Sequence, residues 1–135
     1  MPQHHNRNRR MIIKTQNAPA AIGPYSQGVV AGNLLFISGC CPFSEKDGSV
    51  VGIDITEQTI QAMKNLKAIV EATGSYMNDV VKTTCFISDM NNFQSFNTIY
   101  AGYFPSGTFP ARSCVEVARL PKDVLIEVEA IVSLK

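Results

Sequence analysis

Apolar and polar residues alternate along residues 109–123, which read FPARSCVEVARLPKD. A period of two is typical of a β-strand, because successive side chains of a strand point to opposite faces of its sheet. The alternation puts Ser113 and Val115 on one face, which we expect to pack against the core. Arg112 and Cys114 fall on the other face, which therefore carries the candidate chemistry.

A second alternating segment follows at residues 125–134. Every second position from Ile126 onward is apolar, whereas Glu127 and Glu129 fall on the opposite side. If both strands belong to one sheet, Arg112 and Glu127 lie together on its non-core face. A cation facing carboxylates there indicates a functional site.

Earlier residues predict two helices and four more strands. Residues 56–72 carry an apolar stripe at helical spacing, preceded by Asp54 as N-cap and followed by Gly74 as C-terminal cap. An aromatic stripe predicts a second helix at residues 92–104. Strands are expected at residues 11–14, 28–31, 34–38 and 80–87, with a tight turn at Gly32-Asn33. This order predicts one α+β domain over residues 11–135, with two helices on one face of a mixed sheet.

The composition suits a domain that hides surface in an interface. The chain has 135 residues, of which 45% are hydrophobic and only 17% are charged. Two helices leave the second face of the sheet open, so we expect another copy of the chain to cover it. The formal net charge of +1 provides no steering toward nucleic acid or membranes. No apolar run has the length of a membrane span.

Four cysteines, at positions 40, 41, 85 and 114, lie in apolar strand-like runs, where reduced thiols behave as small hydrophobic side chains. We therefore expect a reduced, cytoplasmic protein. No metal site is expected, because Cys40 and Cys41 point to opposite faces of a strand. Residues 1–10 are basic and almost free of apolar side chains, which predicts a disordered tail. A processed mitochondrial segment is an alternative, although the tail lacks the length and pattern of a transit peptide.

Arg112 and Glu127 together describe a pocket for a small organic acid. A guanidinium offers a planar fork to a carboxylate, and a glutamate can accept a proton or orient a water molecule. The spacing is equally consistent with a structural Arg–Glu ion pair. On residue chemistry alone, Tyr25 fits a ring at the edge of the core with a wet hydroxyl, and Asn97 fits a surface position.

Four motifs resemble the reactive-intermediate deaminase (RidA/YjgF) family: APAAIGPYSQ at residues 18–27, Ser38-Gly39, VKTT at residues 81–84, and residues 109–123. The resemblance implies a chorismate-mutase-like α+β fold and a homotrimer with ligand sites between subunits. It also implies hydrolysis of reactive 2-enamine and 2-imine acids, such as 2-aminoacrylate and 2-iminobutanoate, to 2-keto acids and ammonia. Neither a cofactor nor a metal is implied.

The same resemblance implies roles for three charged or nucleophilic positions. Arg112 would clamp the substrate carboxylate, and Glu127, with the backbone at Cys114, would hold the attacking water. An imine carbon is already electrophilic, so the protein mainly has to hold the acid, exclude solvent and place one water. Cys114 is not expected to act as a nucleophile, because no histidine lies in the folded region to activate it.

Three further positions complete the implied site. Tyr25 would close the pocket from across an interface, Gly39 would line it with backbone, and Asn97 would add a supporting polar contact. The chain departs from the family pattern at Cys40, where glutamine is common, and in its short loop at residues 105–108.

Two other functions stay open. Some members of the family are associated with ribonuclease or translation-inhibitor activity, against which the near-neutral charge and the absence of histidine from the folded part both speak. A small-acid-binding or chaperone-like trimer would use the same clefts without catalysis, and sequence alone does not separate it from an enzyme.

Overall fold

The computed structural model describes residues 10–135. The expected disordered tail therefore lies outside the described residues, apart from Arg10, which is exposed and has no regular structure.

Within residues 10–135, six strands form one mixed sheet in the order β1-β2-β3-β6-β4-β5. The strands are β1 (Met11–Ile13), β2 (Gly28–Ala31), β3 (Leu34–Cys40), β4 (Val80–Ile87), β5 (Ala111–Glu116) and β6 (Ile126–Ser133). β5 runs parallel to β4, and all other neighbouring strands are antiparallel. The predicted α+β fold, with a mixed sheet and two helices, is confirmed.

Helix α1 spans Ile55–Ala72, close to its predicted bounds. The Asp54 carboxylate accepts a hydrogen bond from the Glu57 backbone N–H at 2.8 Å, which satisfies one of the unpaired donors of the first turn. Gly74 follows the helix with a φ of +81°, the left-handed conformation that glycine adopts without strain.

Helix α2 spans Phe93–Ala101 and is shorter than predicted. The aromatic stripe predicted a later helix end, because Phe104 is buried although it lies beyond the last helical residue. A turn follows the helix, in which the Tyr103 N–H donates to the Tyr100 carbonyl and the Phe104 N–H to the Ala101 carbonyl, so the Phe104 ring packs against the Tyr100 ring with centroids 4.8 Å apart.

Both helices pack on one face of the sheet, which we call the helix face. Alternate residues of β6 point into it and are fully or almost fully buried: Ile126, Val128, Ala130 and Val132. The opposite face, which we call the open face, exposes large apolar side chains. Phe36 is 43% exposed there and Val115 is 46% exposed.

The predicted orientation of β5 is wrong. Arg112 pairs with Thr83 and Cys114 pairs with Cys85, and both partners in β4 are buried on the helix face. Arg112 and Cys114 therefore point toward the helices, and Val115 points to the open face. The alternation alone could not reveal this, because α2 supplies aromatic rings that accommodate a guanidinium on the side that otherwise holds the core.

Candidate active site

Arg112 lies against aromatic rings of α2. Its Nη1 donates a hydrogen bond to the side-chain oxygen of Asn97 at 2.7 Å. Its Cζ atom lies 4.9 Å from the ring centroid of Tyr100 and 5.4 Å from that of Phe93, within the range of cation–π attraction. Within residues 10–135, no carboxylate oxygen lies within 4.0 Å of this guanidinium. Within residues 10–135 of one chain, Arg112 therefore forms no structural Arg–Glu ion pair.

A buried hydrogen bond fixes the ring beneath Arg112. The hydroxyls of Thr83 and Tyr100 lie 2.7 Å apart, and both side chains are buried. Burial raises the pKa of Tyr100, so the ring carries a neutral hydroxyl under ordinary conditions. Sequence reasoning assigned no role to Thr83, although it lies in the VKTT motif. The sequence does not reveal that Thr83 of β4 pairs with Arg112 of β5.

The guanidinium borders a cavity of about 420 Å³, which we call the arginine pocket. It is lined by Asn97, Tyr100, Ala101, Phe109, Pro110 and Arg112. Cys114 lies two positions farther along the same face of β5 and is partly buried. Burial raises the pKa of the Cys114 thiol, and the nearby Arg112 charge opposes this only in part. The thiol is thus protonated near neutral pH, the form that is a poor nucleophile.

Glu127 borders a second cavity, of about 530 Å³, which we call the glutamate pocket. Tyr25, Gly39, Cys41 and Phe43 also line it. The Cys41 thiol donates a hydrogen bond to Oε1 of Glu127 at 3.3 Å. Sequence reasoning missed Cys41, and only its position two residues after Gly39 hinted that both share a face.

A β-bulge places Gly39 beneath the Glu127 side chain. Ile37 pairs with Ala130 and Cys40 pairs with Val128, so β3 holds one extra residue between these pairs. A Cβ atom at position 39 would lie 2.6 Å from Cδ of Glu127, closer than side-chain carbons approach one another. Only glycine leaves room for the carboxylate at this point.

Tyr25 lies at the rim of the glutamate pocket and is 52% exposed. Its loop is fastened by the buried side chain of Gln27, whose Nε2 donates to the Pro19 carbonyl at 2.8 Å. The Ser38 hydroxyl donates to the Ser26 carbonyl at 2.6 Å and ties the same loop to the bulge.

Cys40 is buried beside the bulge, with its thiol 3.4 Å from the Ser38 carbonyl oxygen. Burial, reinforced by the Glu127 charge, raises its pKa to about 12. Cys40, which stands where glutamine is common in the family, thus places a neutral thiol in the wall of the glutamate pocket.

Arg112 and Glu127 lie on opposite faces of the sheet, so the prediction that they share one face is wrong. Glu127 pairs with Phe86 in β4, whereas Arg112 pairs with Thr83. Residues three apart in a strand point to opposite faces, and β4 separates β5 from β6, so the two strands are about 10 Å apart as well. One chain therefore cannot bring both side chains to the same small ligand.

Residues 10–135 hold no cluster of three or more histidine, cysteine, aspartate or glutamate side chains arranged to bind a metal ion. In the same part of the chain, no helix is long and apolar enough to span a membrane.

Comparison with known proteins gives concordant matches over most of the chain. The model of the endoribonuclease L-PSP family matches residues 15–134. A 2-iminobutanoate/2-iminopropanoate deaminase of Escherichia coli K12 is 55% identical over 121 residues, which cover 88% of this chain and 94% of that protein.

Solved structures are also similar over most of the chain. A protein of the Rid family from Yersinia pestis has a TM-score of 0.90 at 44% identity, covering 93% of this chain and 100% of that one. Escherichia coli TdcF, solved with bound serine, has a TM-score of 0.86 at 44% identity, covering 93% of this chain and 99% of that one.

Proposed function

Because the chain belongs to the endoribonuclease L-PSP family, which includes the Rid proteins, we propose that it hydrolyses 2-imino acids, such as 2-iminobutanoate and 2-iminopropanoate, to 2-keto acids and ammonia. The observation that carries the proposal is Arg112, a cation without an acidic partner among residues 10–135, held beside an open cavity. A deaminase of these two imines is 55% identical to the chain, and TdcF holds serine, which carries a carboxylate and a nitrogen on neighbouring carbons.

In the proposed reaction, Arg112 binds the substrate carboxylate and Glu127 acts on water. The guanidinium fork pairs with the carboxylate while Asn97 holds one of its nitrogens. Glu127 accepts a proton from a water molecule as the water oxygen attacks the carbon of the protonated imine, which gives a carbinolamine. The carboxyl group then returns this proton to the carbinolamine nitrogen. The C–N bond breaks as ammonia leaves, and the carbinolamine hydroxyl releases its proton to Glu127 to form the 2-keto acid. The backbone at Cys114 helps to hold the water.

The proposed site forms between subunits of a homotrimer. Arg112, Asn97 and Cys114 come from one subunit, and Tyr25, Gly39 and Glu127 come from its neighbour. The opposite orientations of Arg112 and Glu127 support this division, because a single sheet keeps them apart. The exposed apolar side chains of the open face support burial against further copies.

The proposal extends to the setting of the enzyme. Residues 11–135 form the catalytic domain, and residues 1–10 are a tail without a part in the reaction. Substrate and water are the reactants, and neither a cofactor nor nucleic acid is a partner. The four cysteines are free thiols, which suits a reducing compartment such as the cytoplasm.

A coupled assay tests the proposed reaction. A pyridoxal-phosphate-dependent dehydratase generates 2-iminobutanoate from threonine, and the rate of keto-acid release is measured with and without this protein. We expect faster release with the wild type and no acceleration with Arg112→Ala. Arg119→Ala is the matched control, because Arg119 is an exposed arginine paired with Asp123. Equal rates with and without the wild-type protein would contradict the proposal.

Glu127→Gln separates an enzyme from a binding protein. The variant keeps the size of the side chain but cannot accept the proton from water, so imine hydrolysis should fall at least about a hundredfold while binding of a 2-keto acid persists. Glu71→Gln, on the exposed face of α1, is the control and should hydrolyse at the wild-type rate. Wild-type hydrolysis by Glu127→Gln would exclude the assigned role.

Ribonuclease action is the second candidate, because the family description names it. Both histidines of the chain lie at positions 4 and 5, so no histidine of the domain is available for acid–base cleavage of RNA. RNA cleavage that co-purifies with the wild type but is unchanged in Arg112→Ala would belong to another site or to a contaminant. Cleavage lost with that substitution would support this candidate.

A further inference from the structure

Cys41 contacts the side chain on which the proposed reaction depends. Its thiol donates to Oε1 of Glu127 at 3.3 Å, and it lines the glutamate pocket. No other side-chain hydrogen bond to Glu127 occurs among residues 10–135. Gly39 lies against the other carboxylate oxygen, where it offers room but no side-chain donor. The thiol is therefore the group that can fix the direction of the carboxylate.

The ionisation state of Cys41 suits a permanent donor. Its side chain is buried, and burial raises the pKa of the thiol, reinforced by the Glu127 charge. A thiol that stays protonated over the whole range in which an enzyme works always offers its proton to the carboxylate. The same property makes it a poor nucleophile, which separates this role from covalent catalysis.

We propose that Cys41 is a positioning residue that holds Glu127 in the direction needed to activate water. This inference rests on the proposed function, because it assumes that Glu127 acts on the water. With Oε1 held by the thiol, Oε2 is the oxygen left to receive the proton. Without the thiol, the carboxylate can rotate, and the population of productive orientations falls.

The competing explanation is that Cys41 only fills space. It packs in a small cluster with Leu120 and Val124, against which Phe43 and Phe86 also lie. Two substitutions separate the explanations, because each explanation predicts the opposite order of their kcat values. Cys41→Val keeps the apolar volume and removes the donor, whereas Cys41→Ser keeps a donor and loses apolar contact.

The kinetic test uses both variants in the dehydratase-coupled assay. If Cys41 positions Glu127, Cys41→Val lowers kcat about fivefold or more, as expected for the loss of one hydrogen bond, with KM unchanged. Cys41→Ser then retains more of the wild-type kcat than Cys41→Val, although its melting temperature is the lower of the two. A kcat that follows melting temperature, with Cys41→Val equal to the wild type, overturns the proposal.

An infrared measurement tests the contact without activity. The S–H stretch of Cys41 is isolated as the difference between wild-type and Cys41→Val spectra. A hydrogen bond to a carboxylate lowers this frequency, so we expect it to rise in Glu127→Gln, where the acceptor is uncharged. An unchanged frequency overturns the proposal, even if one of the variants is too unstable for kinetics. If the wild type fails to hydrolyse imines, the proposed function fails, while the infrared result still decides whether the thiol holds Glu127.

Discussion

Arg112 donates a hydrogen bond to a neutral acceptor, so its positive charge stays available to a substrate carboxylate. The Asn97 oxygen accepts one guanidinium hydrogen bond without supplying a negative charge. An acidic partner in the same place would neutralise the arginine and compete with a substrate carboxylate. The three aromatic rings of α2 around the guanidinium add attraction through their faces, which likewise leaves the net charge unchanged.

Substitutions of Asn97 test this arrangement. Asn97→Ala removes one hydrogen bond and should raise KM for the imino acid about fivefold, with kcat changed less. Asn97→Asp has the same shape but adds a charge that pairs with Arg112, so we expect a larger rise in KM than in Asn97→Ala. Steady-state kinetics in the coupled assay measure both. Gln94→Ala, at an exposed position of the same helix, is the control, and a smaller effect of aspartate than of alanine would refute the argument.

Gly39 provides the second test at this scale. In Gly39→Ala the new methyl group would lie 2.6 Å from Cδ of Glu127, so the carboxylate must move away. We expect kcat to fall about tenfold or more, because a small displacement of the proton acceptor weakens catalysis strongly. Gly102→Ala is the control, since a Cβ there would meet its nearest atom at an ordinary 3.5 Å. Wild-type kcat in Gly39→Ala would show that the position of Glu127 is not critical.

At the scale of elements, sequence patterning predicted the helices and strands well and failed for one orientation. The apolar stripe and the Asp54 cap were sufficient for α1, and the alternation from Ile126 was sufficient for β6. β5 is an edge strand with side chains of mixed character on both faces, so its alternation had two interpretations. The arrangement of α2 over Arg112 decided between them, and that is a tertiary contact that no local pattern contains.

The N-cap of α1 contributes stability without taking part in the site. Asp54→Ala removes the hydrogen bond to the Glu57 N–H and should lower the free energy of unfolding by about 1 kcal/mol. Imine hydrolysis should be unchanged, because Asp54 and Glu57 are exposed and line neither pocket. Urea denaturation measures the first effect and the coupled assay the second. A loss of activity without a loss of stability would contradict this assignment.

The buried thiols make the stability of the whole molecule sensitive to alkali. Burial raises the pKa of Cys40 and Cys85 from the ordinary 9.0 to about 12. Below pH 9 both thiols are protonated in the folded and unfolded states. Between pH 9 and pH 12 only the unfolded chain releases these protons, so stability falls as pH rises, by up to about 1.4 kcal/mol per pH unit for each thiol.

Cys85→Val removes one of these thiols and should make the decline shallower. Unfolding free energies of the variant and the wild type are compared by urea denaturation from pH 8 to the highest pH at which unfolding stays reversible. Parallel curves for the two proteins would show that Cys85 is not protected from ionisation in the folded state.

For the whole molecule, the sequence predicted the α+β fold and the candidate residues Arg112 and Glu127, but it could not predict that one chain places them in separate pockets. The side chains predicted to work together occur in two pockets, with Arg112 in one and Glu127 in the other. Periodicity gives faces only relative to one strand, and the relation between β5 and β6 depends on the register of β4 between them. Because one chain keeps Arg112 and Glu127 in separate pockets, the proposed reaction requires a site to which two subunits contribute.

Mixing two inactive variants measures this shared site most directly. Arg112→Ala and Glu127→Gln are each purified, mixed in equal amounts, dissociated and reassembled, and imine hydrolysis is assayed beside each variant reassembled alone. If Arg112 and Glu127 of one site come from different subunits, random assembly joins an intact arginine to an intact glutamate in about one quarter of the sites, and activity returns to that level. If the mixture stays as inactive as its components after subunit exchange has been verified by mass spectrometry, both residues act within one chain and the shared site is wrong.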